Sequence, residues 1–154
     1  MKTTRRQFVL LALGALATGA EAQLTPNLAA LRKAALDEAV RKATGGAALR
    51  PGRVKLDLPP LIENGNSVPL TVTVDSPMTP ADHVRVIHVF TEKNPQPNVI
   101  NAWLSPRAGR AALTTRARIA DTGSVIAVAQ MSDGSFWSER QNVVVTTAAC
   151  LEEL

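Results

Sequence analysis

The sequence contains no tyrosine, one cysteine and two histidines, and aromatic residues make up only 3% of it. Each shortage removes a class of protein. A single thiol permits no intramolecular disulfide, so the fold must rest on its core. Two imidazoles fall short of the three or four converging ligands a metal centre needs, unless the fold gathers the cysteine beside them. With so few aromatics, the core must be built from Val, Leu, Ile and Ala. Beyond isolated pairs there is no run of Lys and Arg, and basic residues are not interleaved with aromatics, which argues against a nucleic-acid surface. A glycine-rich phosphate loop, a haem-attachment motif and a nucleophile-elbow sequence are all missing. The apolar run near the N-terminus is shorter than the roughly 20 residues of a membrane-spanning helix.

What that N-terminus does contain is a secretion pattern. Thr4-Arg5-Arg6-Gln7-Phe8-Val9-Leu10 places paired arginines ahead of an apolar stretch that continues through Leu13, Ala15, Leu16 and Ala17. It ends in Ala20-Glu21-Ala22, the small-x-small form that a signal peptidase cuts. The arginine pair specifies the twin-arginine route, and the expected product starts at Gln23 in the periplasm. Cleavage removes three of the 17 basic and one of the 13 acidic side chains, so the formal net charge falls from +4 to +2. The mature chain is then nearly neutral and holds one domain.

Thr25-Pro26 reads as a helix start, with an N-cap followed by proline in the first turn. Leu28, Leu31, Ala35, Val40 and Ala43 fall broadly on one face, opposite Arg32, Lys33, Asp37, Glu38, Arg41 and Lys42. Gly45-Gly46 supplies the left-handed stop. From Val54 the period changes to two. Expected strands are Val54–Leu58, Val68–Val74, Val84–Phe90, Val99–Leu104, Ala111–Ile119, Ser124–Met131 and a last one ending at Val145. Glu63-Asn64-Gly65-Asn66, Asn94-Pro95-Gln96-Pro97 and Ser132-Asp133-Gly134 turn the chain between them. The expectation is an all-β fold: an immunoglobulin-like sandwich of about seven antiparallel strands behind one amphipathic helix. The boundaries are 1–22 for the signal, 23–46 for the helix, 47–147 for the sandwich and 148–154 for a terminal segment.

Chemistry is sparse. Asp82-His83 with Ser76 or Ser105 resembles a triad only on paper, because adjacent residues of a strand point to opposite faces. His88, on an apolar strand face, suits a satisfied core histidine. The iron sites of superoxide-reductase-like sandwiches need more histidines than this chain has. Cys150 remains, four residues from the end. Free cysteine is often simply a small buried hydrophobe. Its position past the last strand favours an exposed thiol instead, since chain ends lie at the surface unless tied down. Counted from Thr146, an extended segment would carry it roughly 16 Å from the sheet.

Several segments are similar to one family. Leu61 to Val72, containing Glu63-Asn64-Gly65 and Val68-Pro69, resembles the start of SoxY proteins. So do Val74-Asp75-Ser76-Pro77-Met78, Ile87-His88-Val89-Phe90, Glu92-Lys93-Asn94-Pro95 and Met131 to Trp137. The resemblance implies a carrier with no catalytic centre and no cofactor of its own, holding thiosulfate-derived sulfur on Cys150. It implies a heterodimer with a SoxZ-like subunit. It also implies visits to a haem-containing thiosulfate-conjugating enzyme, a sulfate-releasing hydrolase and a sulfane dehydrogenase. The family arm usually reads Gly-Gly-Cys-Gly-Gly, whereas this chain has Ala148-Ala149-Cys150-Leu151-Glu152. That departure leaves open a divergent SoxY paralogue carrying another sulfur compound. The remaining alternative is a non-catalytic periplasmic interaction module whose cysteine is incidental.

Overall fold

The structure, a computed structural model, describes residues 21–148. It divides into two compact units, one ending at Ala34 and one beginning at Ala35. The described part of the first unit is helical and belongs to α1 (Glu21–Thr44), whose Leu28 and Leu31 are exposed. The described helix thus already includes the turn ahead of the Thr25-Pro26 start that the sequence suggests.

Within the second unit, α1 ends as its glycines require. Gly45 and Gly46 have φ of 62° and 81°, and the Gly46 N–H donates to the Arg41 carbonyl at 3.1 Å. This six-residue closure needs left-handed residues after the last helical one, a conformation that costs glycine nothing. The buried face differs from the expected one. Leu36 is 1% exposed, flanked by half-buried Ala39, Val40 and Ala43, whereas Ala35 faces solvent. A helix gives its best-packed position to the largest apolar side chain available, and Leu36 offers far more area than Ala35.

Among the described residues nine strands follow: β1 (Leu49–Arg50), β2 (Val54–Asp57), β3 (Leu61–Ile62), β4 (Val68–Val74), β5 (Val84–Thr91), β6 (Asn98–Trp103), β7 (Ala112–Ala117), β8 (Gly123–Met131) and β9 (Phe136–Val145). One sheet runs β1-β9-β8-β5-β6, with β3 also pairing with β9, and the other runs β2-β4-β7. The long pairings are antiparallel, as the sandwich expectation has it. The two additional strands, β1 and β3, have two residues each and pair with β9 in parallel. Two residues carry no readable alternation, so the sequence pattern passes over them.

The space between the sheets is filled by Val, Leu, Ile, Ala and Met, including Leu56, Val72, Ile87, Val89, Ala127, Ala129 and Val143. Phe90 and Phe136, the buried phenylalanines among the described residues, lie instead on the outer face of the larger sheet, with Ile126, Val128 and Leu36. The two phenylalanines therefore serve the helix contact, while half-buried Trp137 packs against the sandwich interior. In β5 the simple alternation fails: Val84 joins the interior with Ile87 and Val89, because the register with β8 shifts between Val84 and Val86. Such a bulge changes which face a residue meets.

β9 is also longer than its sequence suggests. The polar run Ser138–Asn142 hides its middle, yet Glu139 and Gln141 point between the sheets. There the Glu139 carboxylate accepts the Leu56 N–H, and Gln141 Nε2 donates to the Leu58 carbonyl at 2.9 Å. These side chains satisfy the free edge of β2, which would otherwise leave backbone groups unpaired.

Candidate functional site

Cys150 lies outside the described residues, which end at Ala148, so the site is approached through the root of the segment that carries it. Past Val145 the chain leaves β8 and is gripped from the side of β3. The Thr146 N–H donates to the Ile62 carbonyl at 2.9 Å, and the Gly65 N–H donates to the Thr147 carbonyl at 3.1 Å. The Thr146 hydroxyl adds longer contacts of 3.4 Å to the Ile62 and Glu63 carbonyls. On the other side, Thr122 Oγ1 accepts the Val145 N–H at 2.9 Å and lies 3.4 Å from the Val145 carbonyl. The chain is therefore held through Thr147, two residues beyond the last strand residue.

The turns that grip it are themselves braced. Asn64 Oδ1 accepts the Asn66 N–H at 2.9 Å, closing a side-chain turn around Gly65. The Gly65 carbonyl accepts the Ile119 N–H at 2.8 Å. The Asn94 amide group holds both neighbours of Ile119, donating to the Arg118 carbonyl and accepting the Ala120 N–H, each at 2.8 Å. Gly65, Asn64, Asn94 and Thr122 were not among the sequence candidates, although three of them sit in turn motifs that the sequence displays. What it could not show is that those motifs meet.

The other candidates are structural. Asp82 and His83 precede β5 in a loop and do not lie on a strand. The Asp82 carboxylate pairs with Arg53 at 3.1 Å, while His83 Nδ1 faces the Thr79 carbonyl at 3.1 Å. Ser76 Oγ meets the main-chain carbonyl of Asp82 and the Met78 N–H, and Ser105 precedes a short 3-10 turn at Pro106–Ala108. No nucleophile–base–acid chain exists among these residues. His88 is buried, with Nδ1 2.5 Å from Asn101 Oδ1 on β6, as a satisfied strand histidine should be. Among the described residues no group of three or more His, Cys, Asp or Glu is placed to hold a metal ion. At the far end of the sandwich, Arg50 and Arg53 lie 5.9 and 5.7 Å from the Trp137 ring centre. Together with Ser135, which hydrogen-bonds to it, they hold the Asp133 carboxyl below its ordinary value, the Ser135 side-chain bond being the largest cause.

The family model of sulfur oxidation protein SoxY matches residues 40–150, ending on Cys150 itself. The chain belongs to the SoxY family. Among solved structures, the sulfur carrier protein SoxY of Chlorobium limicola f thiosulfatophilum is 26% identical. The alignment covers 75% of this chain and 96% of that one, with a TM-score of 0.63. Superoxide reductase (neelaredoxin) from Ignicoccus hospitalis shares the sandwich at a TM-score of 0.53 and 16% identity, over 61% of this chain and 80% of that one. Superoxide reductase from Nanoarchaeum equitans also has a TM-score of 0.53, at 11% identity, over 62% of this chain and all of that one. These last two likenesses concern the fold alone. No curated protein matches the chain. SoxY membership accounts for the absence of a catalytic constellation among the described residues.

Proposed function

We propose that this SoxY chain is an exported, periplasmic sulfur carrier that holds thiosulfate-derived sulfur covalently on Cys150 and presents it to separate oxidising enzymes. The observation that carries the reading is the family match ending on the one cysteine, which stands three residues beyond a firmly held root. Loading joins the cysteine sulfur to the sulfane sulfur of thiosulfate. The thiol proton and two electrons leave, the electrons passing to a haem-containing conjugating enzyme. Water then releases sulfate from the adduct, leaving a persulfide for a sulfane dehydrogenase. The carrier supplies retention and reach, and its partners supply catalysis.

Export by the twin-arginine route fits this role. That route moves folded proteins, and a chain without its own cofactor gains from it by travelling already bound to a SoxZ-like subunit that lacks a signal. A cut after Ala22 would also place Pro26 in the first turn of the mature helix, where its missing N–H has no intrahelical partner to lose.

The segment around the thiol is adapted away from the usual glycine arm. Ala148 and Ala149 restrict the backbone, Leu151 adds bulk, and Glu152 and Glu153 disfavour the thiolate and repel anionic adducts. The direct test is intact mass of the mature chain after incubation with thiosulfate and a conjugating enzyme, beside Cys150→Ser. A thiosulfate adduct on the native chain only, with unchanged thermal stability of the variant, is the expected result. An adduct on the serine variant, or none on the native chain, defeats the reading.

A further inference from the structure

Two of the turn motifs that look like the family's, Glu63-Asn64-Gly65 and Asn94-Pro95, converge on the root of the segment that bears Cys150. We propose that Gly65, shaped by Asn64 and backed through Ile119 by Asn94, is the anchor of the carrier arm and sets its hinge at Ala148. The inference rests on the carrier reading for its purpose, although its geometry can be tested without any sulfur enzyme.

The argument follows the hydrogen bonds. Thr147 is the last residue with a described tie to the sandwich, and that tie is the Gly65 N–H at 3.1 Å. Gly65 cannot drift with the arm, because its carbonyl is bound to Ile119 at 2.8 Å and Asn94 clasps both residues beside Ile119. The Asn64 side-chain turn aims the Gly65 N–H outward from the loop. With the anchor closed, three residues lead from Thr147 to Cys150, a reach of roughly 10 Å. With it open and the Thr146 bond lost as well, the count from Val145 is five residues, or roughly 17 Å. A short reach keeps the thiol close to one end of the sandwich, so a docking enzyme meets it in a narrow volume. Gly65 and Asn64 are thus positioning residues, which act through the place where the arm begins.

The test uses the mature chain with a nitroxide on Cys150, its one thiol. Backbone amides broadened by the label mark the volume that the arm sweeps, and amide hydrogen exchange on unlabelled protein reads the anchor itself. In the native chain the Gly65 and Thr146 amides should exchange at least 100-fold more slowly than free amides. Broadening should be confined to the end holding Glu63–Asn66 and Ile119–Gly123. Asn64→Ala should speed Gly65 exchange at least tenfold and spread the broadening along β3 and β9, with Val89 and Val128 exchange unchanged. Asn64→Asp, which keeps the acceptor oxygen, should behave as native. Unprotected Gly65 in the native chain overturns the proposal, as does an unchanged label footprint once Asn64→Ala has released it. Failure of thiosulfate loading would overturn the carrier reading and leave these measurements interpretable.

Discussion

Leu36→Ala is the sharpest test of how the helix is attached. Leu36 is 1% exposed and packs on Phe90, Ile126, Val128 and Phe136. Burying a leucine is worth about 2 kcal/mol, and a cavity term is added when the surroundings cannot collapse. Here the floor cannot: Phe90 and Val128 are fully buried on β5 and β8, which are paired along their length. Only the half-buried Ala39, Val40 and Ala43 on the helix side can relax. The expected loss is about 3 kcal/mol, within the range of about 2–5 for such changes. At about 4 °C per kcal/mol for a domain of this size, the melting temperature should fall by about 12 °C. Urea titration followed by far-UV circular dichroism and by tryptophan fluorescence measures the free-energy loss, with an unchanged m-value. The paired control is Ala35→Glu, which should lie within about 0.5 kcal/mol of wild type because Ala35 faces solvent. A loss below about 1 kcal/mol for Leu36→Ala, well under the usual cost of opening a buried cavity, would refute the docked helix. Equal losses for the two variants would show that the helix is turned as its sequence pattern suggested.

Thr122→Val removes the hydroxyl that holds Val145. It should cost about 1–2 kcal/mol and speed Val145 amide exchange, whereas a silent variant would remove Thr122 from the arm root. Changing residues 148–152 to Gly-Gly-Cys-Gly-Gly should speed enzymatic loading several-fold, and slower loading would mark the native arm as fitted to its own partner. Added salt separates the causes: a gain that shrinks comes from the lost glutamate charge, since screening acts over about 10 Å at 0.1 M, while a gain that persists is steric. Asp133 has a lowered folded pKa, so its contribution to stability is present above the unfolded carboxylate value, near 4, and is lost as pH falls through the folded value. The stability gap between wild type and Asp133→Asn should therefore hold from neutral pH to about 4 and close below it. A gap that widens in acid, read from urea midpoints, would contradict the assigned shift.

Much of the architecture was legible because period-two patterning and turn chemistry act over a few residues. Val68–Val74 alternates cleanly and is β4, Ser132-Asp133-Gly134 is the β8–β9 turn, with Gly134 at φ 82°, and Gly45-Gly46 stops the helix. The absence of tyrosine and the low aromatic content likewise force a largely aliphatic interior. What the sequence left hidden depends on contacts between distant segments. The inward polar residues of β9 make sense only beside the unpaired edge of β2, and the β5 bulge only against β8. The choice of Leu36 over Ala35 follows from the aromatic floor that Phe90 and Phe136 provide. The root of the arm is the clearest case. Thr146 and Thr147 read as free chain because no local pattern binds them, and they are held by backbone groups of Ile62 and Gly65 more than 80 residues earlier. Local propensity determined which segments became strands and turns, while the packing of the sandwich decided that the chain is held as far as Thr147, since hydrogen bonds between main-chain groups leave no mark on side-chain sequence.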